Sequence, residues 1–319
     1  MDDMIERIKQ LKRKCDVEIL AHYYQTLDIQ DIADHIGDSL YLSMKARDTV
    51  KAQNIIFCAV RFMGETAAIL NPDRNVYSPA PHAECPMAKQ ITPSMIEIAR
   101  KKYLGLPLVV YVNTTAETKA YADACCTSSN AVKIVNEIAK EWAVDTVIMA
   151  PDANLAANVG KKTKIKVIGY PEAGCCPTHN MYSVKDVEKA RQEHPGAKLI
   201  VHPEAPSDVA DRSDYMGSTA QLLTFIENDN TDAGFIIGTE IEFIRMVSRR
   251  FPNKKFWPLN SRADCPNMKK VTLENVLRIL EAIENNDSGY LDKMRIRVDS
   301  DVSKKASKAI EKMVELMQR

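Results

Sequence analysis

The chain has 319 residues, and its 43 Lys and Arg cancel its 43 Asp and Glu, so the formal net charge is zero. That balance supplies no global field to recruit nucleic acid or an anionic membrane, and any anionic ligand has to be held locally. The N-terminus MDDMIERIKQLKRK lacks the apolar core of a signal peptide, and no apolar run approaches the roughly 18 residues of a membrane span, so a cytoplasmic protein without membrane partners is expected. In that reducing compartment the 8 cysteines are expected to be core residues or metal ligands rather than a disulfide framework.

In chain order, a charged first helix (MIERIKQLKRK) leads into the apolar strand VEILAHYY. Segments of helical period follow, IQDIADHI and SLYLSMKARDTV, then the strand NIIFCAV, the helix ETAAIL and the strand NVYSP. This alternation predicts an α/β fold with parallel strands and crossover helices. The pattern then restarts. TPSMIEIARKKY precedes PLVVY and TVIMAPD, and SVKDVEKARQEH precedes AKLIVH and GFIIGTE.

The restart has a fixed period. Cys85, Cys176 and Cys265 are each followed by proline and lie 91 and 89 residues apart. His22, Tyr111 and His202 close equivalent strands at spacings of 89 and 91, and Ser39, Ser128 and Thr219 repeat them, with Asp34, Asp123 and Asp214 in step. The chain therefore reads as three copies of one α/β unit, with boundaries at 1–88, 89–179 and 180–268. Residues 269–319 form a helical tail: TLENVLRILEAIENN begins a unit that never finishes, and a last helix carries Ala306, Ile310, Met313 and Met317 on one face. The tail is expected to pack on the first repeat.

In parallel sheets ligands bind at the carboxyl ends of the strands. Three copies packed about a pseudo-threefold axis would bring equivalent strand ends and Cys-Pro loops together in one central pocket. Three thiolates distant in sequence suit an iron-sulfur cluster with one iron left open as a Lewis acid, or a zinc ion with water as fourth ligand. Cys175 stands beside Cys176 and competes with it on spacing, while the shared proline favours Cys176. Cys15, Cys58, Cys125 and Cys126 are read as ordinary structural thiols.

Ser39, Ser128 and Thr219 stand where a helix begins, and capping is the default role for such residues. Three helix N-termini in one pocket would also hold carboxylates or a phosphate. An i, i+2 pair recurs at the strand ends as His22/Tyr24, Tyr111/Asn113 and His202/Glu204, its two side chains on the same side of an extended segment. Tyr24 and Glu204 can move protons, Asn113 can orient a polar group, and His22 and His202 can bind anions or act as acid and base. His179 is either a partner of Cys176 or a loop residue. Lys269 and Lys270 are possible pocket contributors.

AHYYQ with GDSLYL, FMGETAAIL, ECPMA, YVNTTAETKA with CTSSNA, CPTH, HPE, GST and DCPNM, in this order over nearly the whole chain, resemble the quinolinate synthase family. The resemblance implies three related α/β domains around a central 4Fe-4S cluster with one open iron, held by Cys85, Cys176 and Cys265. It implies condensation of iminoaspartate with dihydroxyacetone phosphate to quinolinate in de novo NAD biosynthesis, beside an iminoaspartate-producing aspartate oxidase or dehydrogenase. Its substrate-binding residues map to His22, Ser39, Tyr111, Asn113, Ser128, His202, Glu204 and Thr219, and its acid/base tyrosine to Tyr24. Cys175 departs from the family pattern, which has an aromatic residue there. Another iron-sulfur hydro-lyase acting on a hydroxy diacid, or a non-catalytic iron-sulfur sensor, are the competing readings.

Overall fold

A computed structural model describes residues 2–48 and 50–319. Among the described residues twelve strands run in chain order: β1 Val17–His22, β2 His35–Gly37, β3 Asn54–Cys58, β4 Asn75–Tyr77, β5 Leu108–Tyr111, β6 Ala124–Cys126, β7 Thr146–Ala150, β8 Lys166–Gly169, β9 Lys198–Val201, β10 Tyr215–Met216, β11 Phe235–Gly238 and β12 Phe256–Pro258. They form three four-stranded sheets of orders β2-β1-β3-β4, β6-β5-β7-β8 and β10-β9-β11-β12. Every pairing is parallel, and the strand order is the same in each sheet. The repeated α/β architecture expected from the ninety-residue period is therefore present.

The central strands are buried on both faces. LVVY of β5 and FIIG of β11 have no exposed residue, which is the signature of parallel sheets covered by helices. One segment read as helical divides: in IQDIADHI the helix is confined to Leu27–Ile32, and His35–Gly37 becomes the edge strand β2. Cys125 and Cys126 lie inside β6.

The repeated aspartates explain how helix, first strand and edge strand are tied together. Asp34, Asp123 and Asp214 accept the backbone N–H of Ile19, Leu108 and Leu199 at 2.8, 2.7 and 2.7 Å. Each also meets a cation from the helix ahead of the strand: Lys12 at 2.9 Å, Arg100 at 3.0 Å and Arg191 at 3.2 Å. Each carboxylate thus satisfies a donor of the first strand of its sheet.

The chain divides into two compact units, residues 1–85 with 265–304, and residues 86–264 with 305–319. In the first, the helix Leu273–Glu284 packs through Val276, Ile279 and Leu280 with Ile8 and Leu11 of the N-terminal helix, and Glu284 pairs with Arg7 and Lys14. In the second, which holds the β5–β8 and β9–β12 sheets, the end of the helix Ser300–Gln318 meets the helix Ala131–Trp142. Lys312 pairs with Glu141 at 2.8 Å, and Lys133 donates to the carbonyl of Met317 at 2.6 Å.

Candidate active site

In the larger unit the ends of β5 and β9 converge on one buried network. Tyr111, the last residue of β5, donates its phenol to Glu204 Oε1 at 2.7 Å. Glu204 follows β9 by three residues, is 3% exposed, and receives His179 Nδ1 on Oε2 at 2.8 Å. Burial by itself would raise the Glu204 carboxyl. The facing His179 and His202 imidazoles, with the hydrogen bonds from His179 and Tyr111, outweigh it and hold the group below the usual carboxylate range.

His202 is fixed on both nitrogens. Its Nδ1 accepts the backbone N–H of Glu204 at 3.3 Å, which leaves the proton on Nε2, facing Ser128 Oγ at 3.2 Å. Its ring stacks on His179, centroids 4.8 Å apart at 24°. His179 is buried rather than on a loop surface. Its Nε2 lies 3.0 Å from Thr239 Oγ1, and Tyr182 donates to the Thr239 carbonyl at 2.7 Å.

Asn113, two residues beyond Tyr111, has a buried Oδ1 with no partner among the described residues. A buried orphan acceptor is costly, which marks this oxygen as waiting for a donor from a ligand or water.

The helix-start residues did not behave as caps. Ser218 caps the helix Thr219–Asn228, in a capping box with Gln221, and Thr219 is its first residue. In the other unit Asp38 accepts the N–H of Tyr41 at 2.9 Å at the start of the helix Ser39–Asp48. In the second repeat the equivalent position is Thr127, whose N–H is taken by Asn130 Oδ1 at 2.7 Å. Capping falls one residue earlier than expected for Ser39 and Thr219. That relieves both hydroxyls of the cap, as the bond to His202 occupies Ser128.

The smaller unit carries the first pair. His22 Nδ1 accepts the N–H of Tyr24 at 3.1 Å, the same device as at His202, and the two rings meet edge to face at 4.6 Å. Lys269 Nζ reaches the Tyr24 carbonyl at 3.4 Å, whereas Lys270 bonds Asn267. Ser39 Oγ lies 3.9 Å from Met63 Sδ. Cys85 and Cys265 stand half-buried in loops of this unit.

The metal expectation has to be corrected. Among the described residues, the group of side chains able to hold a metal ion is Cys176, His179 and Glu204, with ligand atoms within 4.8 Å of one another. That is one thiol, one imidazole and one carboxylate, a donor set for a single borderline ion, and not the three thiolates of a 4Fe-4S cluster. Cys85 and Cys265 are not members of it. Cys176 and Cys265 each open a turn, Asn180 N–H bonding the Cys176 carbonyl and Met268 N–H that of Cys265, while at Cys85 the turn starts one residue later, at the Pro86 carbonyl that takes the Lys89 N–H. A period in sequence records equivalent places in a fold, and equivalent places do not by themselves share a ligand.

Asp152, a further residue of the network, escaped notice in the sequence. Asp152 caps the helix Ala153–Gly160 through the Leu155 N–H at 2.8 Å and also accepts the Cys176 N–H at 3.3 Å. Burial and the nearby Glu204 charge push its carboxyl well up. The spacing Cys-x-x-His was the available sign for His179. Three other thiols are fully buried and unreactive: burial pushes Cys58 and Cys126 up, and Cys125 up to about 12. His35 pairs with Glu18 at 2.9 Å, and His194 stacks on Trp257 at 4.0 Å.

A family model described as NadA, Quinolinate synthetase A protein, matches residues 6–315. The chain belongs to the quinolinate synthetase A family. Relatives include a quinolinate synthase of Thermotoga petrophila, 43% identical over 98% of this chain and 100% of the relative. Those of Methanocaldococcus jannaschii and Pyrococcus abyssi are each 42% identical over 98% of this chain and 99% of their own. Membership fits a chain in which no described helix is long and apolar enough to cross a membrane.

Proposed function

We propose that this quinolinate synthetase A family member condenses iminoaspartate with dihydroxyacetone phosphate to quinolinate, releasing phosphate and water, in the cytoplasm and as a step of de novo NAD biosynthesis. An aspartate oxidase or dehydrogenase supplies the unstable imine. The observation that carries this reading is the wall formed by Tyr111, Ser128, His202 and Glu204, with the orphan Oδ1 of Asn113 beside Tyr111 in the chain.

Each group has a chemical task. Ser128 Oγ takes the His202 Nε2–H, and its own hydroxyl proton is then aimed at a substrate carboxylate or phosphate. Thr219, at a helix start, offers a hydroxyl and a backbone N–H to a second anion. Asn113 Oδ1 accepts from a substrate hydroxyl or N–H. Glu204 is the base that takes a proton from carbon, and the Tyr111 phenol holds its orientation. In the smaller unit His22 and Ser39 bind substrate oxygen, and the half-buried Tyr24 phenol donates the proton that lets a hydroxyl leave as water. Fixing both substrates removes the entropic part of joining them.

The test is an anaerobic incubation of the purified chain with both substrates, with quinolinate followed by mass spectrometry and phosphate by colorimetry. Quinolinate with matching phosphate supports the reading. Dehydration of a hydroxy diacid with no phosphate released supports the hydro-lyase, and ligand binding without any turnover supports the sensor.

A further inference from the structure

Where the chain leaves each sheet after its first strand, the ladder no longer supplies donors to the backbone carbonyls, so others must. In the first repeat Gln30 Nε2 donates to the carbonyls of Tyr23 and Gln25 at 3.3 and 2.8 Å. In the second, Lys119 Nζ donates to the carbonyl of Thr114. In the third, Asn158 Nδ2 donates to the carbonyls of Pro203 and Ala205, both at 2.9 Å.

Gln25, Thr114 and Ala205 are the same position at the repeat spacings of 89 and 91, and Tyr23 and Pro203 are likewise equivalent. The three donors are 2, 0 and 0% exposed. They differ in chemistry, and one differs in origin. Gln30 and Lys119 are equivalent positions on the short helix after the turn. Their counterpart in the third repeat is Ala210, which has no donor to give. Asn158 comes instead from the helix Ala153–Gly160 of the second repeat, and Ser207 satisfies its other side-chain atom at 3.0 Å. Side-chain identity was not kept across the repeats, but the contact was. Each braced turn holds one i, i+2 site pair: His22/Tyr24, Tyr111/Asn113 or His202/Glu204.

We propose that Gln30, Lys119 and Asn158 are positioning residues, each holding the carbonyl that follows a site pair so that the pair keeps its aim at substrate. The proposal rests on the reading of those pairs as substrate-binding. It requires donation and not charge, so glutamine, the solution of the first repeat, serves at position 119.

The test compares Lys119→Gln, Lys119→Met and Asn158→Asp by kcat and KM for quinolinate formation, by thermal midpoint, and by hydrogen exchange of the 111–115 amides without substrate. Lys119→Gln should stay within about threefold of the parent, while Lys119→Met and Asn158→Asp lose about 10²-fold in kcat/KM, mostly in kcat, the usual cost of a misplaced reacting group. Amides of 111–115 should exchange about tenfold faster in Lys119→Met and at the parental rate in Lys119→Gln. Parental turnover in Lys119→Met or Asn158→Asp overturns the proposal, as does equal impairment of Lys119→Gln and Lys119→Met. If Lys119→Met does not fold, Asn158→Asp decides by the same criterion. If the parent chain makes no quinolinate, the functional reading fails, and the exchange measurement still decides the brace.

Discussion

The turns at His22 and His202 are built alike and surrounded differently. In both, a histidine closing the first strand of its sheet accepts on Nδ1 the backbone N–H two residues on, at 3.1 and 3.3 Å, and so presents Nε2–H. At the third repeat the i+2 residue is Glu204, locked at 3% exposure between Tyr111 and His179. At the first it is Tyr24, half-buried and edge-on to its own histidine. The repeat supplies the aim of a side chain, while the residue placed there and its neighbours supply the chemistry. A caged carboxylate stays ionised, whereas a half-buried phenol keeps contact with solvent.

The comparison sharpens first at the phenol. Tyr24→Phe should lower kcat for quinolinate by about 10²–10⁴-fold with the thermal midpoint unmoved, because only proton transfer is removed. Parental kcat would reduce Tyr24 to a structural neighbour of His22. A smaller effect is expected at the anchor of the other histidine. Ser128→Ala should raise KM about tenfold and leave kcat nearly constant, in line with the loss of one hydrogen bond of about 1–2 kcal/mol to a charged ligand.

Stability isolates the shared scaffold from the chemistry. Asp123→Ala leaves the Leu108 N–H and the Arg100 guanidinium without their partner, and should cost about 2 kcal/mol in denaturant unfolding. The smallest effect concerns pH. Burial raises the Asp38 carboxyl against the two backbone hydrogen bonds that oppose it. A carboxyl raised on folding disfavours the native state as pH climbs above its unfolded value of about 3.9. Asn caps as well as Asp, so Asp38→Asn should melt about 1–3 °C higher at pH 7 and lose that advantage as pH falls towards 4. An equal difference at both pH values would contradict the sign of the shift.

Much of this was legible in the sequence for a physical reason. Strand ends such as VEILAH, PLVVY and AKLIVH are apolar runs closed by one polar residue, and their spacing exposed the three sheets. One edge strand of each sheet was not legible, because His35–Gly37, Ala124–Cys126 and Tyr215–Met216 are too short for any period to show. Caps were misplaced by one residue where two candidates adjoin, as at Asp38 and Ser39 or Ser218 and Thr219. The donor set around Cys176 was hidden for a different reason. Glu204 reaches it through a side-chain direction that linear spacing does not encode.

Glu204, caged between Tyr111 and His179, is the proposed base. The most direct measurement follows quinolinate and phosphate together, from the parent chain and Glu204→Gln under identical anaerobic conditions, with dihydroxyacetone phosphate binding checked by calorimetry. The account predicts equimolar quinolinate and phosphate from the parent, and from Glu204→Gln no quinolinate although dihydroxyacetone phosphate still binds. Quinolinate formed at the parental rate by Glu204→Gln would contradict it.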